Sequence, residues 1–324
     1  MGMPASPSLN PFAEQAVDAL LRPLRPWLDN PQVSEVMINA ADTVWVEEAG
    51  RLRRLAVVLP AASLRPLVRL FATLSDASTL ERDATLEGGW RGWRVTAVLP
   101  PVARSSPCLC LRRHHATALP LADWRAGPLV TGGGALPGGL HACLLHAIAM
   151  RHSILVSGST GAGKTTFLAG LIAAIDAQQR VVCLEDSPEL PDMGGHQLRL
   201  LARSGHSLRS LLRLALRLRP DRIVIGEVRG AEAFDLLQAM ACGHAGCLGT
   251  IHAPHARGAL RRLEQLILLA GLEWPERAVR AQIAQCVQLL VHVSRAADGR
   301  CVSQIQSVVG LRDGEYDLVD IALD

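Results

Sequence analysis

The run ILVSGSTGAGKTT (154–166) constrains the fold of this chain more than any other stretch. SILVSG (153–158) is continuously apolar, the pattern of a strand buried on both faces. It runs directly into a turn with glycines at 158, 161 and 163, and the residues after that turn are helical in character. A strand of this kind must lie inside a sheet covered by helices on both sides. The glycines allow a tight backbone ring whose N–H groups point inward, and the following helix adds its positive N-terminal end. Gly158-x4-Gly163-Lys164-Thr165 is thus a phosphate cradle of Walker A type, formed by Gly158, Ser159, Thr160, Gly161, Ala162, Gly163, Lys164, Thr165 and Thr166.

Lys164 is the one lysine in a chain with 33 lysines and arginines. The position calls for a compact cation on a slim stem that reaches between β- and γ-phosphates. Arginine's wide planar fork cannot stand there without moving the loop. The cradle therefore predicts a nucleotide with Mg²⁺, Thr165 being the hydroxyl ligand of the metal.

The second half repeats the strand-then-helix alternation. VVCLED (181–186), RIVIGE (222–227) and CLGTIH (247–252) read as buried strands, separated by helices near 208–217 and 231–241. Helices follow at 256–270 and 275–285, and Asp298-Gly299 and Asp313-Gly314 mark hairpins near the end. The predicted class is α/β, a doubly wound and mainly parallel sheet. The first half mixes a helical pattern over 12–28, broken by Pro23 and Pro26, and a helix over 64–74 with short strands at 33–39, 44–50, 93–101 and 107–113, and holds no phosphate loop. A Pro- and Gly-rich stretch, 114–139, separates the halves. The expected domains are a smaller α+β domain with linker, 1–126, and the P-loop domain, 127–324.

Strand ends carry the other chemistry. In a parallel sheet the ends of the strands open on the same edge as the P-loop. Glu185 and Asp186 end one strand, Glu227 another and His252 a third. Carboxylates there can orient an attacking water and the magnesium shell, and His252 can sense the γ-phosphate. Gly226 stands where P-loop enzymes usually place an aspartate before the glutamate.

Composition narrows the class further. Aromatic residues make up 3% and net charge is +3, which argues against a nucleic-acid stacking surface, and no direct nucleic-acid binding is expected. Eight cysteines form no CxxC pair, so zinc and redox motifs find no support. No apolar run reaches membrane-spanning length and the start, MGMPASPSLNPF, has no apolar signal core, so a cytoplasmic location is expected, with peripheral docking at the inner membrane.

The four strand-end blocks, in this order and spacing, resemble the Walker A, Asp box, Walker B and His box of the type II and type IV secretion ATPases. Gly226 before Glu227 is the pattern of that superfamily. LRLRPDRIVIGEVRGAEAFDLLQA (216–239), RLEQLI (262–267), VVGLRDGEY (308–316), NPQVSEVMIN, LPPV and CLRR are most similar to the TrbB type of conjugative-transfer ATPases. GPLVTGGGALPGG and MGGHQLRLLARSG (193–205) depart from that pattern. The resemblance implies a RecA-like nucleotide domain, a homohexameric ring, ATP held between N- and C-terminal domains at subunit borders, and inner-membrane components of a secretion or conjugation complex as partners. It also implies catalytic arginines from the N-terminal domain, matched here by Arg94 and by Arg112 or Arg113, with Arg229 as a further candidate across the border. Within it Glu227 and Glu185 are candidates for water activation and Asp186 for the magnesium shell. The readings weighed against a conjugation motor are a pilus-retraction or type II secretion motor, and a RecA-like DNA-binding or non-hydrolysing scaffold.

Overall fold

A computed structural model describes residues 10–75, 84–113, 119–127, 139–203, 205–271, 273–296 and 299–321. The chain forms two compact units, Met1–His115 and Ala116–Asp324.

In the first unit, the helix Pro11–Leu20 starts where Asn10 accepts a hydrogen bond from the Ala13 amide and proline occupies its first turn. The predicted helical stretch 12–28 breaks at its prolines into this helix, a 3₁₀ turn at Arg22–Leu24 and a short helix at Arg25–Leu28. Strands β1 (Val33–Ala40), β2 (Thr43–Glu48), β3 (Arg51–Leu55), β4 (Thr85–Trp90), β5 (Trp93–Val98) and β6 (Cys108–Arg113) make a sheet in the order β3-β2-β1-β6-β5-β4. Every neighbouring pair is antiparallel. One face is buried: Val36, Ile38, Val44, Val46, Val95, Leu109 and Leu111 share a core with Leu64, Val68 and Phe71 of the helix Ala61–Leu74. β3 and β4 are strands that the sequence pattern does not predict. β3 reads RLRRL and is exposed at all but its last residue, and β4 carries Gly88 and Gly89, so neither shows the alternation of a half-buried strand.

In the second unit, β7 (Arg125–Ala126), β8 (Ile154–Gly158), β9 (Val181–Glu185), β10 (Gln197–Leu201), β11 (Arg222–Ile225), β12 (Leu248–His252), β13 (Leu289–Ala296), β14 (Gly299–Arg312) and β15 (Glu315–Asp320) build one sheet. Its main path is β10-β9-β11-β12-β8-β13-β14-β15, with β7 paired on β14. The strands from β10 to β13 are parallel, and the β13–β14–β15 meander is antiparallel. β8, β9 and β11 are buried at every residue, because helices cover both faces. β10 arises from the 193–205 segment. The P-loop helix spans Lys164–Ala173. The Asp313-Gly314 hairpin turns with both residues at positive φ, 53° and 81°. Gly132-Gly133-Gly134 and Asp298 lie outside the described residues. Leu121 and Trp124, just after the first unit ends, pack into the core of the second unit with Phe167, Leu168 and Val302.

Candidate functional site

β8 delivers the chain to the P-loop at the C-terminal edge of the parallel strands, and His252 pairs in register with Gly158 on the neighbouring strand. Gly161 and Gly163 adopt φ of 75° and 98°, conformations that a side chain disfavours. There is also no space for a side chain at Gly158, where a Cβ would stand 2.5 Å from the Val293 carbonyl oxygen of β13. Lys164 is 9% exposed, and its Nζ donates to the carbonyls of Gly158 and Ser159, each at 3.1 Å. The ammonium thus lies folded over the loop that it serves.

The Thr165 hydroxyl is held as well. Thr165 Oγ1 donates to Glu189 Oε2 at 3.0 Å. Glu189 lies in LEDSPEL, four residues after Glu185, where no sequence motif marks it. Only the folded loop brings it onto Thr165. Among the described residues no three His, Cys, Asp or Glu side chains cluster as a metal site. A magnesium ion here would take the Thr165 hydroxyl and phosphate oxygens, with carboxylates reaching it through water. This matches a P-loop, where the substrate itself completes the metal's shell.

The two Asp-box carboxylates have different surroundings. Glu185 is 3% exposed. Its Oε1 accepts from the amides of Glu189 and Leu190 at 2.8 and 2.6 Å, and its Oε2 accepts from Arg199 at 3.1 Å. Burial pushes its pKa up, opposed by the Leu190 amide and by Arg199. These contacts shape the loop that carries Glu189. Asp186 instead reaches Arg229 Nη1 at 2.8 Å, and Glu227 accepts from Arg229 Nη2 at 2.6 Å. One guanidinium therefore ties the end of β9 to the end of β11.

Glu227 is placed by the backbone around it. The Gly226 amide donates to Leu184 O at 2.8 Å, the Thr250 hydroxyl donates to Gly226 O at 2.6 Å, and Val228 N donates to Thr250 O at 2.8 Å. A Cβ on Gly226 would meet Glu185 Cγ at 3.4 Å, so an aspartate there would bring a second carboxylate against a buried one. His252 is exposed at the end of β12.

In the first unit, Arg94 and Arg112 are directly paired across β5 and β6, on the face opposite the core. Arg94 also approaches Glu87 at 3.5 Å. Arg113 lies on the other face and is engaged within its own unit. It donates to the carbonyls of Val33, Leu28 and Asn30 at 2.8, 2.7 and 2.9 Å, and stacks 4.2 Å from the Trp93 ring centre. Burial lowers its pKa.

A phosphate cradle on one strand end, a glutamate two strands away and an aspartate three strands away is the layout of a P-loop ATPase with a RecA-like sheet. Residues 134–316 match the family model described as type II/IV secretion system protein, and the chain belongs to that family. A putative conjugal transfer protein of Mycobacterium tuberculosis is 36% identical over 307 residues, covering 90% of this chain and 84% of that one. The conjugal transfer protein TrbB of Rhizobium radiobacter is 32% identical, covering 89% and 88%. Among solved structures, the VirB11 ATPase of the Brucella suis type IV secretion system is 28% identical with a TM-score of 0.50, covering 91% and 95%. The pilus retraction motor PilT, at 20% identity and a TM-score of 0.65, shares the fold.

Proposed function

We propose that this chain hydrolyses ATP with magnesium, as a ring of identical subunits, to power a conjugation-type type IV secretion apparatus at the cytoplasmic face of the inner membrane. The relatives named for conjugal transfer and type IV secretion support that role. The observation that carries it is the single sheet edge on which Lys164, Thr165 and Glu227 sit, with Arg229 linking Asp186 to Glu227. Lys164 and the loop amides bind the phosphates, Thr165 ligates the metal, and Glu227 orients the attacking water. Asp186 and Glu189 hold water around the metal, and His252 contacts the γ-phosphate side. Glu185 keeps the Asp-box loop in place. In the ring, Arg94 and Arg112 neutralise charge on the nucleotide at a subunit border, and inner-membrane components of the apparatus receive the domain motion. No helix among the described residues is long and apolar enough to cross a membrane, in keeping with peripheral docking.

The test is complementation. Lys164→Ala should remove ATPase activity and, in cells carrying the transfer apparatus, should abolish transfer while the protein still accumulates. Transfer at the wild-type rate with an inactive ATPase would remove the motor role.

A further inference from the structure

Arg300 lies on the P-loop, a position that no motif in the sequence marks. It is the second residue of β14, and β14 is paired with β13, which in turn lies against the P-loop strand β8. The contact is close. A Cβ on Gly163 would stand 2.7 Å from Arg300 Cδ and 3.1 Å from its Nε. The arginine stem therefore covers the last turn of the cradle, immediately before Lys164. Trp124 flanks the same spot, 3.3 Å from that Cβ position, and is itself fixed edge-on against Phe167 at 4.8 Å between ring centres.

The electrostatics at this place are unbalanced. Arg300 is directly opposite Arg295 in the β13–β14 hairpin, a like-charge cross-strand pair that destabilises a sheet. Among the described residues neither arginine has a hydrogen-bond or ion-pair partner. Other arginines of this unit, such as Arg199, Arg209, Arg229 and Arg280, each meet a carboxylate. Although Arg300 keeps exposed surface, the packing around it lowers its pKa by desolvation first and by Arg295 second. A partly desolvated guanidinium facing a second one is stabilised by an anion. The nearest structure built to take an anion is the P-loop.

Resting on the ATPase reading above, we infer that Arg300 is a same-chain phosphate-binding residue that closes the P-loop from the Gly163 side and meets the α- and β-phosphates of the nucleotide. Gly163 precedes the lysine and borders the part of the cradle that surrounds the leaving diphosphate. A cation at that point contacts ADP as well as ATP. Its contribution is therefore to nucleotide binding more than to the chemical step.

The experiment measures binding of ADP and of inorganic pyrophosphate, with magnesium, to full-length wild type, Arg300→Met and Arg300→Lys. Methionine keeps an unbranched apolar stem without the charge. Arg300→Met should weaken both ligands about tenfold, the loss of one charged hydrogen-bonding contact. Arg300→Lys should recover most of that loss, and neither variant should melt below wild type, since Arg300→Met relieves the repulsion with Arg295. An unchanged ADP affinity in Arg300→Met overturns the inference while leaving the ATPase reading intact. Weakening of ADP alone, with pyrophosphate unaffected, overturns the phosphate assignment in favour of the base. A lowered melting temperature with no rescue by lysine makes the residue structural and also overturns it. Wild type that binds neither ligand overturns the ATPase reading together with this one.

Discussion

Arg229 donates to the Glu227 carboxylate at 2.6 Å from only two residues further along the chain. The same guanidinium holds Asp186 at 2.8 Å. Arg229 is 47% exposed, so the bridge faces solvent and is easily exchanged. Of the two carboxylates, Glu227 is the more covered at 21% exposure, against 34% for Asp186, and three backbone-anchored bonds fix the strand end that carries it.

From that relationship, Glu227→Gln is expected to separate binding from hydrolysis. Glutamine keeps the shape but cannot accept a proton from the attacking water. In the proposed mechanism the phosphate contacts come from Lys164, Thr165 and loop amides, so ATP affinity should stay within a few-fold of wild type. Single-turnover hydrolysis should fall by roughly 10²-fold or more. Equal loss of affinity and rate would move Glu227 into the metal shell instead.

Lys164→Arg is expected to fail as a substitute. Lys164 is 9% exposed and its Nζ already sits 3.1 Å from two loop carbonyls, so a broader guanidinium has to displace the loop. Steady-state hydrolysis should drop by at least about tenfold, a barrier rise of about 1.4 kcal/mol. A rate above half of wild type would show that the loop adapts to arginine and that the choice of lysine has another cause.

Much of this was legible in the sequence because it depends on local chemistry. The P-loop needs positive φ at Gly161 and Gly163 and a buried strand before it, and both are written in consecutive residues. Asp186, Glu227 and His252 were readable because parallel strands place their ends together. The contacts of Glu189 with Thr165 and of Arg300 with Gly163 were not, since they join positions 24 and 137 residues apart through loop and hairpin geometry alone. β10 is hidden in the sequence for a related reason. It is an edge strand of intermediate burial whose QLRLL shows neither alternation nor a full apolar run.

Glu185 should behave as a structural carboxylate with a measurable pH signature. Its folded pKa lies above the unfolded value because of burial. Between the two values the folded chain keeps a proton that the unfolded chain has lost, so stability falls as pH rises through that window. The window opens near the ordinary glutamate value of about 4.3 and closes at the raised folded value. Denaturant unfolding of Glu185→Gln should lack this decline. Its amide oxygen can still accept from Glu189 and Leu190, and Arg199, 32% exposed, can turn to water. Glu185→Ala leaves those two amides without an acceptor and should lose roughly 2–3 kcal/mol. A Glu185→Gln protein of normal stability with hydrolysis reduced as far as in Glu227→Gln would return Glu185 to the catalytic candidates.

The three candidate arginines of the first unit, Arg94, Arg112 and Arg113, should divide into two kinds. Arg113 donates to three carbonyls at the ends of the helical segment and of β1 and lies 4.2 Å over the Trp93 ring. Removing it leaves partly buried carbonyls with fewer donors and loses a cation–π contact, so Arg113→Ala should destabilise the chain by roughly 2–3 kcal/mol and lower its melting temperature. Arg112 and Arg94 are cross-strand neighbours on the face away from the core. Arg112→Ala should melt with wild type but lose about tenfold or more in kcat, by the logic of an arginine finger, with ATP affinity less affected. The decisive measurement mixes Lys164→Ala subunits with Arg112→Ala subunits. If Arg112 acts across a subunit border, a mixed ring contains borders with an intact P-loop from one protein and an intact arginine from the other, and activity rises above either variant alone. No rise in the mixture, with both proteins assembling together, would place the function of Arg112 within its own subunit or outside catalysis.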